Sequence, residues 1–418
     1  MQETVTHIPQ RVEQSSRPMK VVLLTRDLKC GGAQRQLVVL AKGLHARGHK
    51  VVVAQFYSGG PLEQELLEQE LLEAGVRIRP LQKRGRWDLL PFLFQLARVM
   101  REERPEILYS YLTDLVALVL KPWFPSTKIV WGIRSSNEDL GQFDWFTRIS
   151  YKLTFRLSRF ADAVIANSRV GRNDHIAQGY PRGKTVVIPN GIDTQRFCPD
   201  PEARRHVRSE WGIQGHEEVI GIVGRLDPVK DHPTFLQAAS LLTQKRNHLR
   251  FVCVGAGPAE YRDSLHRLTQ SLKLTEHVIW PGGRSDMPAV FNALDLLVSS
   301  STTEGFSNVI AEAMACGVPC VATNVGDSAW LIGNTGEVVP PRDPEALTDA
   351  MGHALDRRPQ DPAQIRRHIV EQFSVEKLVA DTEQSLLKLL DNTTSGSSIR
   401  AVQAECSGAP EKIPAGRN

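Results

Sequence analysis

The chain has 418 residues, too many for one compact core at roughly 150 residues per domain, so a single small module is excluded. Hydrophobic residues make up 41% and charged residues 23%, which excludes wholesale disorder or a fibrous repeat over the bulk of the sequence. Lys and Arg number 51 against 47 Asp and Glu, a net charge of +4 that is too small for a nucleic-acid coat, so no nucleic acid is expected as a partner and any anion must be met locally.

Residues 1–18 are polar and lack the apolar core of an export signal, so they read as a flexible leader. Short β-branched runs then alternate with amphipathic stretches: strands at 21–25, 51–56 and 76–81, with helices over 33–48, 61–74 and 88–103. Further strands follow at 106–110, 128–132, 162–167 and 185–189. A second series begins afresh with a strand at 219–224, a helix from about 233, a strand at 250–255 and a helix over 259–273. Strands at 277–282 and 294–299, a helix from about 307 and a strand in 318–323 complete it. Such runs are parallel strands buried on both faces, so the expected fold class is α/β, with two doubly wound Rossmann-like halves facing across a cleft. Turn residues at Asn190-Gly191 and Pro199-Asp200-Pro201 place the hinge near 190–215, dividing the chain into domains of 19–190 and 191–375. The Ser-, Gly-, Ala- and Pro-rich segment 392–418 reads as a flexible tail.

Six scattered cysteines without paired CxxC blocks predict a reducing, cytoplasmic compartment. No apolar run approaches the roughly 20 residues that a membrane-spanning helix needs. Aromatic and basic residues over 145–160 are spaced by three and four, which fits either a helix resting on an anionic membrane surface or a core-facing stripe with a solvated basic face. Cys316 and Cys320 fall short of a four-ligand set, so no metal is expected.

In open parallel sheets ligands bind beyond the carboxyl ends of the strands, which directs attention to the loops there. The loop after strand 219–224 carries Arg225 and Lys230, a planar fork and a compact charge suited to a diphosphate, or else a local ion pair with Asp227 or Asp231. The loop after strand 294–299 carries Glu304, and eight residues later comes Glu312, a separation of roughly 12 Å if the chain between is helical. Between them Gly305, Phe306, Ser307 and Asn308 lie at a helix N-terminus whose free N–H groups form an anion site. Glu304 is placed to accept hydrogen bonds from sugar hydroxyls and Glu312 to hold a ribose diol; the plainer reading is a dipole-complementing charge and an exposed helix residue. Gly31 and Gly32, after the first strand, let backbone approach a donor phosphate or an acceptor, or simply make a tight turn. Gly255-Ala-Gly257 follows a strand but lacks the third glycine of a dinucleotide fingerprint.

Glu304-x7-Glu312, Gly224-Arg225…Lys230, Gly31-Gly32 and Ile188-Pro-Asn-Gly-Ile-Asp193 together make the sequence resemble the family 4 glycosyltransferases of GT-B architecture, over about 19–391. The resemblance implies transfer of a hexose, with retention and without a metal or other cofactor, from a nucleotide diphosphate sugar to a saccharide or lipid-linked saccharide acceptor in surface polysaccharide or glycoconjugate synthesis. It implies an acceptor-binding first domain, a nucleotide-sugar-binding second domain, and a last helix over 376–391 crossing back to the first. Arg225 and Lys230 then meet the leaving diphosphate, Glu304 the donor sugar, Glu312 the ribose, and backbone near 281–284 the base. Many relatives carry a histidine after the fourth strand where this chain has Tyr111; Tyr111 and Arg134 are cleft or acceptor candidates, and Arg134 equally fits the diphosphate or an ordinary surface ion pair. The alternatives are an epimerase of the same architecture and a nucleotide-sugar-binding protein without turnover. A site at the inner face of the membrane fits the cytoplasmic assignment.

Overall fold

The computed structural model describes residues 17–29, 31–57, 62–83, 85, 88–111, 114–134, 152–357 and 361–391. Most of the leader, Cys30, the tail from 392 and residues 145–151 of the 145–160 stretch lie outside the described residues.

Seven strands form the first sheet: β1 (Lys20–Thr25), β2 (Lys50–Gln55), β3 (Arg77–Pro80), β4 (Ile107–Tyr111), β5 (Lys128–Ile133), β6 (Ala163–Ala166) and β7 (Thr185–Val187). They pair in parallel in the order β3-β2-β1-β4-β5-β6-β7. The second sheet contains β8 (Glu218–Val223), β9 (Leu249–Val254), β10 (Val278–Gly282), β11 (Leu296–Ser299), β12 (Cys320–Thr323) and β13 (Glu337–Val339), in parallel in the order β10-β9-β8-β11-β12-β13. Central strands such as β1 and β4 are apolar along nearly their whole length because helices cover both faces. One face of the first sheet packs Leu37, Leu40 and Leu44 of the helix Gly32–Ala46, and the other packs Phe92, Leu96 and Met100 of Leu89–Glu103. The strand order reverses between β1 and β4 in one sheet and between β8 and β11 in the other, and crevices open at those points.

The chain crosses between domains twice, and the crossings touch. Ile192 and Ser374 form a parallel bridge, in which the Ile192 N–H donates to the Phe373 carbonyl at 2.7 Å and Val375 N–H donates to the Ile192 carbonyl at 3.1 Å. Gln36 reaches over from the first domain and clamps Gly191 both ways, donating to its carbonyl at 2.9 Å and accepting from its N–H at 2.8 Å. Gly191 admits no side chain, because a β-carbon there would stand 2.9 Å from the Val375 Cα. The last helix, Val375–Asp391, returns to the first domain and buries Leu378, Val379 and Leu386 in its core. Helices Arg169–Ala177, Pro201–Glu210, Pro344–Asp356 and Pro362–Phe373, with β13, are additions to the elements expected from the sequence. Among the described residues, no helix is long and apolar enough to cross a membrane.

Candidate active site

Two loops meet at the carboxyl ends of β8 and β11. After β8, Asp227 caps the short turn Pro228–Lys230 by accepting from the Val229 N–H, and Asp231, in the left-handed conformation, caps the helix His232–Thr243. After β11, the Ser300 hydroxyl donates to the carbonyls of Lys230 and Asp231 at 2.9 and 3.0 Å, and Thr302 N–H donates to the Val229 carbonyl at 2.8 Å. Each loop is therefore built on the other, and their side chains arrive together. Lys230 Nζ donates to Glu304 Oε1 at 2.5 Å, and the Ser301 hydroxyl donates to the same oxygen at 2.9 Å. Both members of the ion pair are largely buried, so their attraction is screened less than that of a surface pair. His232, fully buried beside them, has its pKa lowered to about 4 by burial and then by the Lys230 charge, so it is neutral and adds no second cation.

The helix Asn308–Ala315 begins one residue later than the sequence suggests, with Ser307 as its N-cap and no side chain capping its N–H groups. It ends in a Schellman arrangement, with Gly317 N–H donating to the Met314 carbonyl and Val318 N–H to that of Ala313. The chain from Glu304 to Glu312 is thus half loop and half helix, so the fully helical separation of the two carboxylates does not apply. Phe306 turns inward onto Phe373, ring centroids 5.6 Å apart, and has only its backbone to offer a ligand; the Gly305 carbonyl accepts from Asp327 N–H at 2.9 Å.

Across the cleft, Gly31 is the extended N-cap of Gly32–Ala46, another helix without a side-chain cap or an acid in its first turn. Gly32 faces the other N-terminus so closely that a β-carbon on it would lie 3.1 Å from Asn308 Nδ2. Asn190, beside the hinge, donates to Asn308 Oδ1 at 2.8 Å and so turns the Asn308 amide nitrogen toward Gly32. Two positive helix ends and Lys230 converge on one small volume, which suits an anion of more than one phosphate. Glu312, one turn into its helix, is half-buried; burial pushes its carboxyl up to about 7 against the opposing pull of Arg196 and Arg35.

Arg225 takes a different position from Lys230. Its side chain is 82% exposed at the rim and pairs with Asp227 at 3.6 Å. Tyr111 and Arg134 come together at the ends of β4 and β5, with the guanidinium 3.9 Å above the Tyr111 ring and one nitrogen on the Tyr109 hydroxyl at 2.5 Å. Among the described residues, Arg134 Nε, Arg134 Nη1 and the Tyr111 hydroxyl are buried without a hydrogen-bond partner, and burial raises the Tyr111 pKa. Asn190 and Asp327 are contributors that carried no role in the sequence reading. Asn190 stood within the Pro-Asn-Gly turn, whereas Asp327 has no local signature at all.

The family described as "Glycosyltransferase Family 4" matches residues 30–196, and that described as "Glycosyl transferases group 1" matches residues 217–357, one on each domain. The chain belongs to the family 4 glycosyltransferases. A GDP-mannose-dependent alpha-(1-6)-phosphatidylinositol monomannoside mannosyltransferase of Mycolicibacterium smegmatis is 33% identical over 211 residues, 48% of this chain and 54% of that protein. A D-inositol 3-phosphate glycosyltransferase of Corynebacterium urealyticum is 31% identical over 207 residues, 47% of this chain and 49% of that protein. The chain thus spans about half the length of the curated relatives it matches. The Anabaena protein HepE, crystallised in complex with UDP, superposes on this family 4 chain with a TM-score of 0.76 at 23% identity, covering 88% of this chain and 100% of that one. That likeness concerns the fold, which is GT-B.

Proposed function

We propose that the protein is a retaining hexosyltransferase that moves a hexose from a nucleotide diphosphate sugar to a saccharide or lipid-linked saccharide, in the synthesis of surface polysaccharide or glycoconjugate. The observation that carries this reading is the meeting of Gly32 with Asn308 across the cleft, beside the Lys230–Glu304 pair. The diphosphate sits at the two helix ends, where Lys230, with Arg225 reaching in from the rim, offsets the charge that develops as the glycosidic bond breaks. Glu304 holds Lys230 in place and accepts from sugar hydroxyls; Glu312 takes the ribose diol. In a front-side path, the departing phosphate oxygen takes the acceptor proton, so Tyr111 needs no acid or base role, and no step is assigned to a metal. Arg134, two of whose buried nitrogens have no partner among the described residues, suits an acceptor with an anionic group. Relatives named for phosphatidylinositol mannoside and inositol phosphate support a phosphorylated acceptor, and a lipid-linked one would place the protein at the inner membrane face.

Release of UDP from UDP-glucose and of GDP from GDP-mannose, measured with and without a phosphorylated cyclitol acceptor, tests the reading. Acceptor-dependent release supports it. Release that ignores acceptor points to an epimerase, and binding without release points to a nucleotide-sugar-binding protein; either would contradict it.

A further inference from the structure

The loop after β12 reaches across the cleft to the first domain. Asp327 is 3% exposed and lies in the second domain, yet both of its carboxylate oxygens are taken by the first. Arg169 N–H donates to Oδ2 at 2.6 Å and Val170 N–H to Oδ1 at 3.0 Å, so Asp327 caps the helix Arg169–Ala177 from across the cleft. The helix's own N-cap, Ser168, serves only the Gly171 N–H, which leaves the first two donors to Asp327. The Arg169 guanidinium lies 3.9 Å over the Trp330 ring, and Trp330 in turn packs edge-on against Phe373, centroids 5.0 Å apart. Phe373 is the residue whose carbonyl accepts from Ile192 at the hinge, and Phe306 of the donor loop also packs on its ring.

The same short loop supports the donor site directly. Asp327 N–H donates to the Gly305 carbonyl at 2.9 Å. Gly326, at φ +55°, passes so near that a β-carbon on it would stand 2.4 Å from the Glu304 carbonyl oxygen. The backbone that shapes Glu304 and Gly305 is therefore continuous with Asp327, which grips the first domain's helix.

We propose that Asp327 is a positioning residue for the transfer: it clasps the first domain to the donor loop and holds the cleft at the spacing where Gly32 meets Asn308. Trp330 completes the clasp by seating Arg169. The proposal rests on the donor-site reading, but the contact itself is open to a separate measurement.

Hydrogen–deuterium exchange on the peptide spanning 166–178 of the full chain reads the clasp, while donor KM and kcat for UDP-glucose and GDP-mannose read its consequence. Losing a cap of this kind is worth about tenfold. Asp327→Ala is expected to speed exchange at the amides of Arg169 and Val170 and to raise donor KM about tenfold. Asp327→Asn, which keeps acceptor oxygen at the helix end, is expected to return both to within about threefold of the unaltered protein. Arg169→Pro removes one donor and the stacked guanidinium at a first helical position that favours proline, after a Ser168 already extended at φ −145°, ψ 152°. It leaves the donor loop untouched, so it supplies the test if Asp327→Ala fails to fold, and it is expected to reproduce the KM rise. Unchanged exchange in Asp327→Ala, or donor KM within twofold of the unaltered protein in either the alanine or the proline variant, overturns the proposal. If the unaltered chain turns over neither nucleotide sugar, the transfer reading fails by itself, and UDP and GDP dissociation constants replace KM in the same comparison.

Discussion

Lys230 and Glu304 neutralise one another at 2.5 Å, and each is needed by the other as much as by a ligand. Glu304→Gln keeps the shape but leaves the Lys230 ammonium without its counter-charge, so turnover is expected to fall about 10²–10³-fold while nucleotide affinity changes little. Lys230→Ala is expected to weaken both, and steady-state kinetics beside calorimetric titration with UDP or GDP separates the two outcomes. Glu312 sets a pH dependence whose sign follows from its raised carboxyl, at about 7 in the folded protein against 4.5 for an unburied glutamate. The folded state binds the extra proton, so this group favours folding most below 4.5 and that contribution is lost as pH rises through about 7. Accepting two ribose hydroxyls calls for the ionised form. Nucleotide affinity is therefore expected to rise between about pH 6 and 8, and in Glu312→Gln titrations over that range are expected to be flat.

At the scale of elements, the helix Gly32–Ala46 and the helix Asn308–Ala315 meet end to end, with Gly32 set where any larger residue crowds Asn308. Gly32→Ala adds helix propensity, worth up to about 1 kcal/mol in a helix interior and less at a terminus, so melting temperature should hold or rise. Donor KM should rise severalfold all the same, because the β-carbon enters the space between the two anion-binding ends. A fall in stability with unaltered KM would show that the glycine serves the turn instead. Much of this layer was legible in the sequence. Buried parallel strands write themselves as continuous β-branched runs, and β1, β2, β4, β8 and β9 fall within a residue or so of their expected limits. β13 was not legible, being three residues long and half-buried. Helices Pro201–Glu210 and Pro362–Phe373 open with Asp-Pro and an Asp N-cap, a signal that was present but was read only as turn chemistry at the first of them. In the site, spacing singled out Glu304 and Glu312 and loop position singled out Lys230 with Arg225; the structure sets Lys230 on Glu304. Arg225, named by the same loop position, holds its guanidinium at the rim beside Asp227. Asp327 was beyond reach because its partners are backbone N–H groups about 157 residues away, which no local pattern records.

The whole molecule is held together at the hinge and by the returning helix Val375–Asp391. Glu383 on that helix is almost wholly buried, with Oε1 2.8 Å from His49 Nε2 and Oε2 2.6 Å from Arg47 Nε. His49 Nδ1 accepts from the Met19 N–H at 3.1 Å, which fixes the tautomer and leaves Nε2 as the donor to Glu383. Removing one member of such a buried set strands the others, so Glu383→Ala is expected to cost about 3–5 kcal/mol in chemical denaturation, and Glu383→Gln less because Gln still accepts from His49. Because the helix and the bridge between Ile192 and Ser374 share one segment, loosening it should also widen the cleft and raise donor KM, whereas a KM unmoved by Glu383→Ala would mean that the helix fastens the first domain without setting the gap. Every one of these effects converges on where the donor's phosphates sit. A crystal structure of the full chain with UDP-glucose or GDP-mannose is the most direct measurement. The account predicts both phosphates between Gly32 and the backbone N–H groups at Ser307 and Asn308, within hydrogen-bond reach of Lys230. A diphosphate bound elsewhere, for instance in the 910 Å³ cavity lined by Arg204, Arg208, His216 and Arg246 at the amino ends of the strands of the second sheet, would contradict it.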